Sequence, residues 1–183
     1  MIESIEYVAE PSSGKSEFGL IGRGIGRSMA PMLHRELGRL TGRDVSYRLH
    51  DVAGLDKAGL GSLLSMLGRR GVVGVNVTHP FKQAVVDLVA IDDPMVRAIG
   101  AVNTVRFDPT GPVGFNTDYS GFQAAYRHRF TDDPGVVAQL GAGGFGRAAA
   151  FGLAALAVDR IRLFDPDRDR GRALATDVEV ATG

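Results

Sequence analysis

Gly74-Val75-Asn76-Val77-Thr78-His79-Pro80-Phe81-Lys82 is the stretch from which the fold of this chain is read. Val72, Val73, Val75 and Val77 are β-branched and nearly continuous, the composition of a strand buried on both faces of a parallel sheet. Thr78-His79-Pro80 ends the run. Proline suits the first position of a helix, and Phe81, Ala84, Val85, Leu88 and Val89 recur at helical spacing, so a helix is predicted after the strand. Such a corner gathers Asn76, Thr78 and Lys82 at the carboxyl end of a strand, the edge where open α/β sheets bind small molecules. Lys82 stands out there. In a first helical turn it faces the positive end of the macrodipole, where Asp or Glu is the structural choice. The plain reading is a solvated helix lysine. The functional reading is an amine placed to give and take a proton.

Outward from this corner, strands and helices alternate. On the N-terminal side, Phe18-Gly-Leu-Ile-Gly22 reads as a first strand opening into the glycine-rich loop Arg23 to Pro31, followed by a helix through Leu33, Leu37 and Leu40. Arg43 to Leu49 suits a second strand and Leu55 to Leu67 a second helix. This is the βαβ pattern of a parallel sheet. On the C-terminal side, Ala101 to Phe107 and Pro112 to Asp118 flank a turn at Asp108-Pro-Thr-Gly111 and predict a hairpin. Each arm carries an Asn-Thr pair, Asn103-Thr104 and Asn116-Thr117, with Asp118 following the second. Asp118 also reads as the cap of a helix from Tyr119 to Phe130. Gly135 to Leu140 then forms a strand leading into Gly141-Ala142-Gly143-Gly144-Phe145-Gly146 and a small-residue helix from Arg147 to Leu156. Next comes the strand Arg160 to Phe164, which ends at Asp165. A glycine turn between strand and helix, with an acid at the end of the next strand, is the dinucleotide-binding context. Its glycines admit a pyrophosphate to the helix N-terminus. The plain alternative is a glycine-packed strand–helix corner.

Composition narrows the function. The 183 residues are 44% hydrophobic with 25 glycines, which indicates an α/β protein rich in tight turns. Net charge is zero and no basic block occurs, so neither nucleic acid nor an anionic membrane is an expected partner. No apolar run has the length of a membrane span or the form of a signal peptide, and the expected location is cytoplasmic. The absence of cysteine excludes thiolate catalysis. The four histidines show no metal-ligand spacing, so no metal site is expected. Gly14-Lys-Ser16 lacks the preceding strand and glycine run that a P-loop phosphotransferase needs.

Taken together, Gly19-Leu-Ile-Gly22 through Ser28-x-x-Pro31-x-x-His34, Asn76-Val-Thr-x-Pro-x-Lys82, Gly100-Ala-Val-Asn-Thr104, Asn116-Thr-Asp118 and Gly141-Ala-Gly-Gly-x-Gly146 resemble the shikimate dehydrogenase family, over roughly residues 18 to 176. The resemblance implies an α/β fold. Residues 1–17 form a flexible leader, 18–118 a βαβ substrate-binding catalytic domain with a mostly parallel sheet, 119–134 a linker helix, and 135–183 an incomplete Rossmann NAD(P)-binding domain. It implies reversible NAD(P)-linked oxidation of a ring hydroxyl of shikimate or quinate, by a monomer or homodimer. Lys82 and Asp118 are then the catalytic pair. Thr78, Asn103 and Asn116 bind substrate hydroxyls and Ser28 the carboxylate, while Gly141, Ala142, Gly143, Gly144, Phe145, Gly146 and Asp165 hold the cofactor. An acid at Asp165 would repel a 2′-phosphate, so NAD is expected over NADP.

Two departures from the family accompany the resemblance. Many members carry a second hydroxyl residue where this chain has Ala30, which leaves the carboxylate to Arg23 or Arg27. The cofactor domain is also expected to comprise one strand–helix–strand unit and the start of a third strand. A non-catalytic module that binds shikimate but holds no dinucleotide is the competing reading.

Overall fold

The computed structural model describes residues 14–183, so most of the expected leader lies outside the described residues. Its last positions belong to a strand, because β1 (Ser16–Gly22) already pairs with β2 (Val45–Asp51) at Ser16 and Val45. On its other side β1 pairs in parallel with β3 (Gly74–Val77). The predicted hairpin, β4 (Thr104–Asp108) and β5 (Gly111–Phe115), then adds antiparallel to β3, giving the order β2-β1-β3-β4-β5. A second sheet of two parallel strands, β6 (Val136–Leu140) and β7 (Arg160–Phe164), completes the α/β fold.

The central strand β3 is covered on both faces, with Gly74, Val75 and Val77 buried and Asn76 half-buried, and β1 is buried on both faces over its last four residues. Adjacent Leu20 and Ile21 enter different cores, one with Ile25 and Tyr47, the other with Leu64, Val75, Val77 and Val105. The latter core is closed by α2 (Lys57–Arg69), which is started by Asp56, whose Oδ1 accepts the Gly59 N–H at 2.7 Å. α1 (Ala30–Leu40) runs from the loop after β1 and packs beside β2. In β3, Val75 and Val77 face the α2 core, while Asn76 turns to the opposite face and meets Tyr47. The predicted apolar strand therefore carries one polar side chain, Asn76, on the face opposite Val75 and Val77.

The helix expected after Pro80 does not form. Residues 79–85 are turns, followed by a 3₁₀ turn at Val86–Leu88, and the His79–Pro80 peptide is cis. The Lys82 carbonyl accepts the Val102 N–H at 2.8 Å, and the Val86 N–H goes to Gln83 O instead. Phe81 and Val85 are buried in the α2 core by this path, so tertiary burial outweighs helical spacing. A short helix that the sequence reading passed over, α3 (Pro94–Ile99), follows. Asp93 caps it through the Met95 N–H, and Gly100 ends it with φ of 64°. α4 (Thr117–Arg129) is capped by Asn116, not by Asp118, which sits in its first turn. α5 (Gly144–Ala154) joins β6 to β7, and the expected third strand is instead α6 (Arg168–Thr182). Leu174 and Val178, one helical turn apart, pack there on the same core as α5.

That core crosses the expected domain boundary. Ile99 and Ala101 pack with Ala142, Ala148, Ala150, Phe151 and Leu174. Close contact of α4 with α5 adds to it, since a Cβ on Gly152 would come 2.8 Å from the Phe122 ring. Among the described residues no helix is long and apolar enough to cross a membrane.

Candidate active site

Lys82 and Asp118 meet. Nζ lies 2.6 Å from Oδ2, and the side chains are only 16% and 20% exposed, so a charge-assisted hydrogen bond is held away from bulk water. Two backbone arrangements bring them together. The Lys82 carbonyl is fixed to the Val102 N–H, and Asp118 is placed by the cap of α4, whose positive pole suits its charge. The macrodipole argued for Lys82 from its own helix does not apply, because that helix is absent. Two helix starts flank the lysine instead: that of α4, which carries Asp118, and that of α5, where a Cβ on Gly144 would come within 3.0 Å of Lys82 Cβ and Cδ.

Beside the pair runs a row of polar side chains across the carboxyl edge of β3 and the hairpin. Tyr47 Oη donates to Asn76 Oδ1 at 2.7 Å, and Asn76 Nδ2 donates to Thr104 Oγ1 at 3.1 Å. Thr104 reaches Asn103 Oδ1 at 3.0 Å, which also accepts the Thr117 N–H at 2.9 Å. Burial raises the Tyr47 phenol to about 12, so it donates at any ordinary pH, and His34 stacks on its ring at 4.4 Å. Amides and hydroxyls in a row can both donate and accept, the chemistry needed to hold a polyol. Asn103 belongs to this row. Asn116 does not, being 4% exposed with Oδ1 on the Tyr119 N–H and Nδ2 on Ala101 O. Its amide supports the site from behind, and its neighbour Thr117 takes the exposed place. Thr78 lies next to Lys82 at the end of β3, with its methyl against Gly22. Ser28 spends one lone pair on the Ala30 N–H at 3.2 Å, within a loop held by Asp51 through the Gly24 and Ile25 N–H groups. Arg23 and Arg27 are exposed in that loop.

A cleft of about 590 Å³ separates Thr78, Lys82 and Gln83 from Gly141, Gly143, Gly144, Phe145 and Gly146. The glycine turn is open toward the cleft and tight behind it. Open space surrounds Gly141 and Gly143, whereas a Cβ on Gly146 would lie 2.2 Å from Gly141 O. The first N–H groups of α5 have no partners within the helix and point out of this turn. Gln139, unremarked in the sequence, braces it from below with Nε2 at 2.9 Å from both Gly141 O and Gly146 O. Asp165 is brought to the turn, but its side chain is 2% exposed and engaged. It accepts from the Ala142 N–H at 2.7 Å, the Asp167 N–H at 2.8 Å and Arg170 at 2.6 Å. These donors, Arg170 foremost, lower its pKa to about 2. A further donor reaches this carboxylate only if Arg170 moves aside.

The sequence and the structure both have relatives. Residues 20–105 match the shikimate dehydrogenase substrate binding domain. A shikimate dehydrogenase (NADP(+)) of Streptomyces avermitilis is 42% identical over 161 residues, 86% of this chain and 55% of the relative. A solved quinate dehydrogenase from Corynebacterium glutamicum in complex with NAD superimposes with a TM-score of 0.82 at 38% identity, covering 93% of this chain and 62% of that one. Shikimate 5-dehydrogenase from Thermus thermophilus, in complex with NADP(H) and shikimate, gives a TM-score of 0.78 at 31% identity over 90% of this chain and 61% of that one. The chain spans about three-fifths of the length of the relatives it matches.

Proposed function

The chain belongs to the shikimate dehydrogenase family, and from that premise we propose that its site serves reversible, NAD-linked oxidation of a ring hydroxyl of shikimate or quinate. The observation that carries this reading is the Lys82–Asp118 pair, set between a row of amides and hydroxyls on one side and a glycine turn on the other. The dehydrogenases named above give no support to a binding module without catalysis.

The hydroxyl to be oxidised would lie within reach of Lys82, whose amine takes the O–H proton as the alcohol becomes a ketone. In the reverse direction the ammonium returns it. Asp118 holds the amine in place and balances its charge once protonated. Thr78, Asn103 and Thr117 orient the remaining hydroxyls, and Ser28 with Arg23 or Arg27 takes the carboxylate, since Ala30 offers none. Gly141 to Gly146 hold the pyrophosphate, with Asp165 toward the adenosine ribose. When bound, the nicotinamide supplies the hydride acceptor. The Asp165 carboxylate disfavours a 2′-phosphate, which supports NAD over NADP. Both cofactors occur among the relatives.

Calorimetry on residues 1–183 with shikimate, quinate and NAD separately is the first test, and each class of ligand is expected to bind. Substrate binding with no NAD binding would instead favour the module. The second test uses a chimera joining residues 1–183 to the remainder of the Corynebacterium glutamicum enzyme. Lys82→Ala in it is expected to lower kcat by about two to four orders of magnitude with a smaller change in KM. A chimera that keeps its kcat without Lys82 returns this lysine to a structural role, and one that prefers NADP removes the role given to Asp165.

A further inference from the structure

The side chain of Arg147, the residue that follows the glycine turn, points away from the cleft. It is 10% exposed and reaches across to the substrate-binding domain. Nε donates to Ile99 O, and Nη2 lies 3.5 Å from Ala98 O and 2.7 Å from Asp177 Oδ2 on α6. The guanidinium therefore closes the C-terminal end of α3, where unpaired carbonyls and the negative pole of the helix suit a cation. Gly100 leaves room for it, since a Cβ there would stand 3.4 Å from Nη2.

The end of α3 is also the anchor of the reacting pair. Immediately after it, Ala101 O accepts from Asn116, which caps the helix carrying Asp118, and the Val102 N–H holds the Lys82 carbonyl. On the other side, the Arg147 N–H bonds to Gly143 O at 2.8 Å and closes the first turn of α5. One residue thus ties the glycine turn through its backbone and the Lys82–Asp118 anchor through its side chain. A planar fork with several donors is suited to spanning two carbonyls and a carboxylate at once.

We propose that Arg147 is a positioning residue that fixes the glycine turn of α5 at a set distance and angle from Lys82, with Asp177 holding the fork in plane. Its role in hydride transfer rests on the function proposed above, but the mechanical link does not.

Hydrogen exchange on residues 1–183 without ligand tests that link. Arg147→Met, which keeps the bulk and removes the fork, is expected to speed exchange of the Val102 and Tyr119 amides about tenfold or more. The Leu20 and Leu49 amides, in the β1–β2 pair, are expected to stay unchanged. Arg147→Lys is expected to recover part of the protection, because one ammonium reaches some of the same acceptors. Faster exchange confined to α5 and α6, with Val102 and Tyr119 unaffected, overturns the proposal and makes Arg147 a local anchor. If Arg147→Met does not fold, Asp177→Asn carries the test, with a smaller rise expected at the same two amides and no rise there counting against the link. Absence of shikimate, quinate and NAD binding in calorimetry would remove the proposed function while leaving this exchange result to decide the link.

Discussion

His50 and His34 show how a residue's surroundings set the response of the whole chain to acid. The His50 ring lies against Gly19, where a Cβ would come within 2.9 Å of it, and His34 is stacked on Tyr47. Burial lowers the pKa of each from 6.5; for His50 the nearby charges of Glu17, Arg48 and Arg70 are smaller influences of mixed sign. A folded pKa below the unfolded one means that the unfolded chain takes up protons first as the pH falls. The stability tied to neutral imidazoles is therefore complete above the unfolded value and lost as the pH drops through it toward the folded value. Asp165, held at about 2 chiefly by Arg170, lies well outside this window. The expected result is a fall in Tm between about pH 7.5 and about pH 5.5 that is shallower in His34→Phe, which keeps the stack without the titration. A wild-type Tm that is flat over the window would show that neither ring loses solvation on folding.

Among the elements, α4 depends on one side chain that the sequence reading assigned to the substrate. Asn116 supplies its cap and ties its start to Ala101. Loss of an N-cap costs about 0.5–2 kcal/mol and loss of a buried hydrogen bond about 0.5–1.5 kcal/mol, so Asn116→Ala is expected to destabilise by about 2 kcal/mol in denaturant unfolding. Asn116→Asp keeps an acceptor for the cap but loses the donor to Ala101, and should fall between the two. Equal stability of wild type and Asn116→Ala would mean the cap is carried elsewhere. What could be read from the sequence follows the same division between local and distant partners. β1, α1, α2, the hairpin and the β6–α5–β7 unit were legible because their signals lie within each segment: apolar spacing, the alternation of strand and helix, and glycine stops. That Lys82 and Asp118 belong together was expected from their motifs, and the structure sets them 2.6 Å apart. The helix after Pro80 was misread because its helical spacing is real, while the Val102 N–H that claims the Lys82 carbonyl lies at a distance no local pattern contains. Likewise Tyr47, Gln139 and Arg147 act through partners on other elements, and Thr117 was quoted in its motif without being recognised as the one facing the site. α3 is different, for Asp93-Pro94 and Gly100 announced both of its ends.

For the whole molecule, the decisive relation is between the two sheets. The five-stranded sheet sets Asn76, Asn103 and Thr104 in one polar row beside Lys82 and Asp118. The described residues after α4 supply the glycine turn, two strands and two helices. A dinucleotide lies across two mononucleotide halves of a Rossmann sheet, and the turn of β6 and α5 addresses only the pyrophosphate and adenosine side. Efficient hydride transfer needs the reacting atoms held about 3–3.5 Å apart, so contacts to the pyrophosphate alone leave the nicotinamide ring without a fixed approach to the substrate. The shared core of Ile99, Ala101, Ala148 and Phe151 works in the opposite sense, since it keeps the turn docked against Lys82. A polypeptide of residues 1–183 is thus expected to bind shikimate or quinate weakly and NAD through its adenosine half, yet to turn over far more slowly than an ordinary enzyme. Steady-state measurement of NADH formation on that polypeptide decides the matter. Turnover near about one per second, the lower end of the usual range for enzymes, would show that the turn and the docked core suffice to position the nicotinamide.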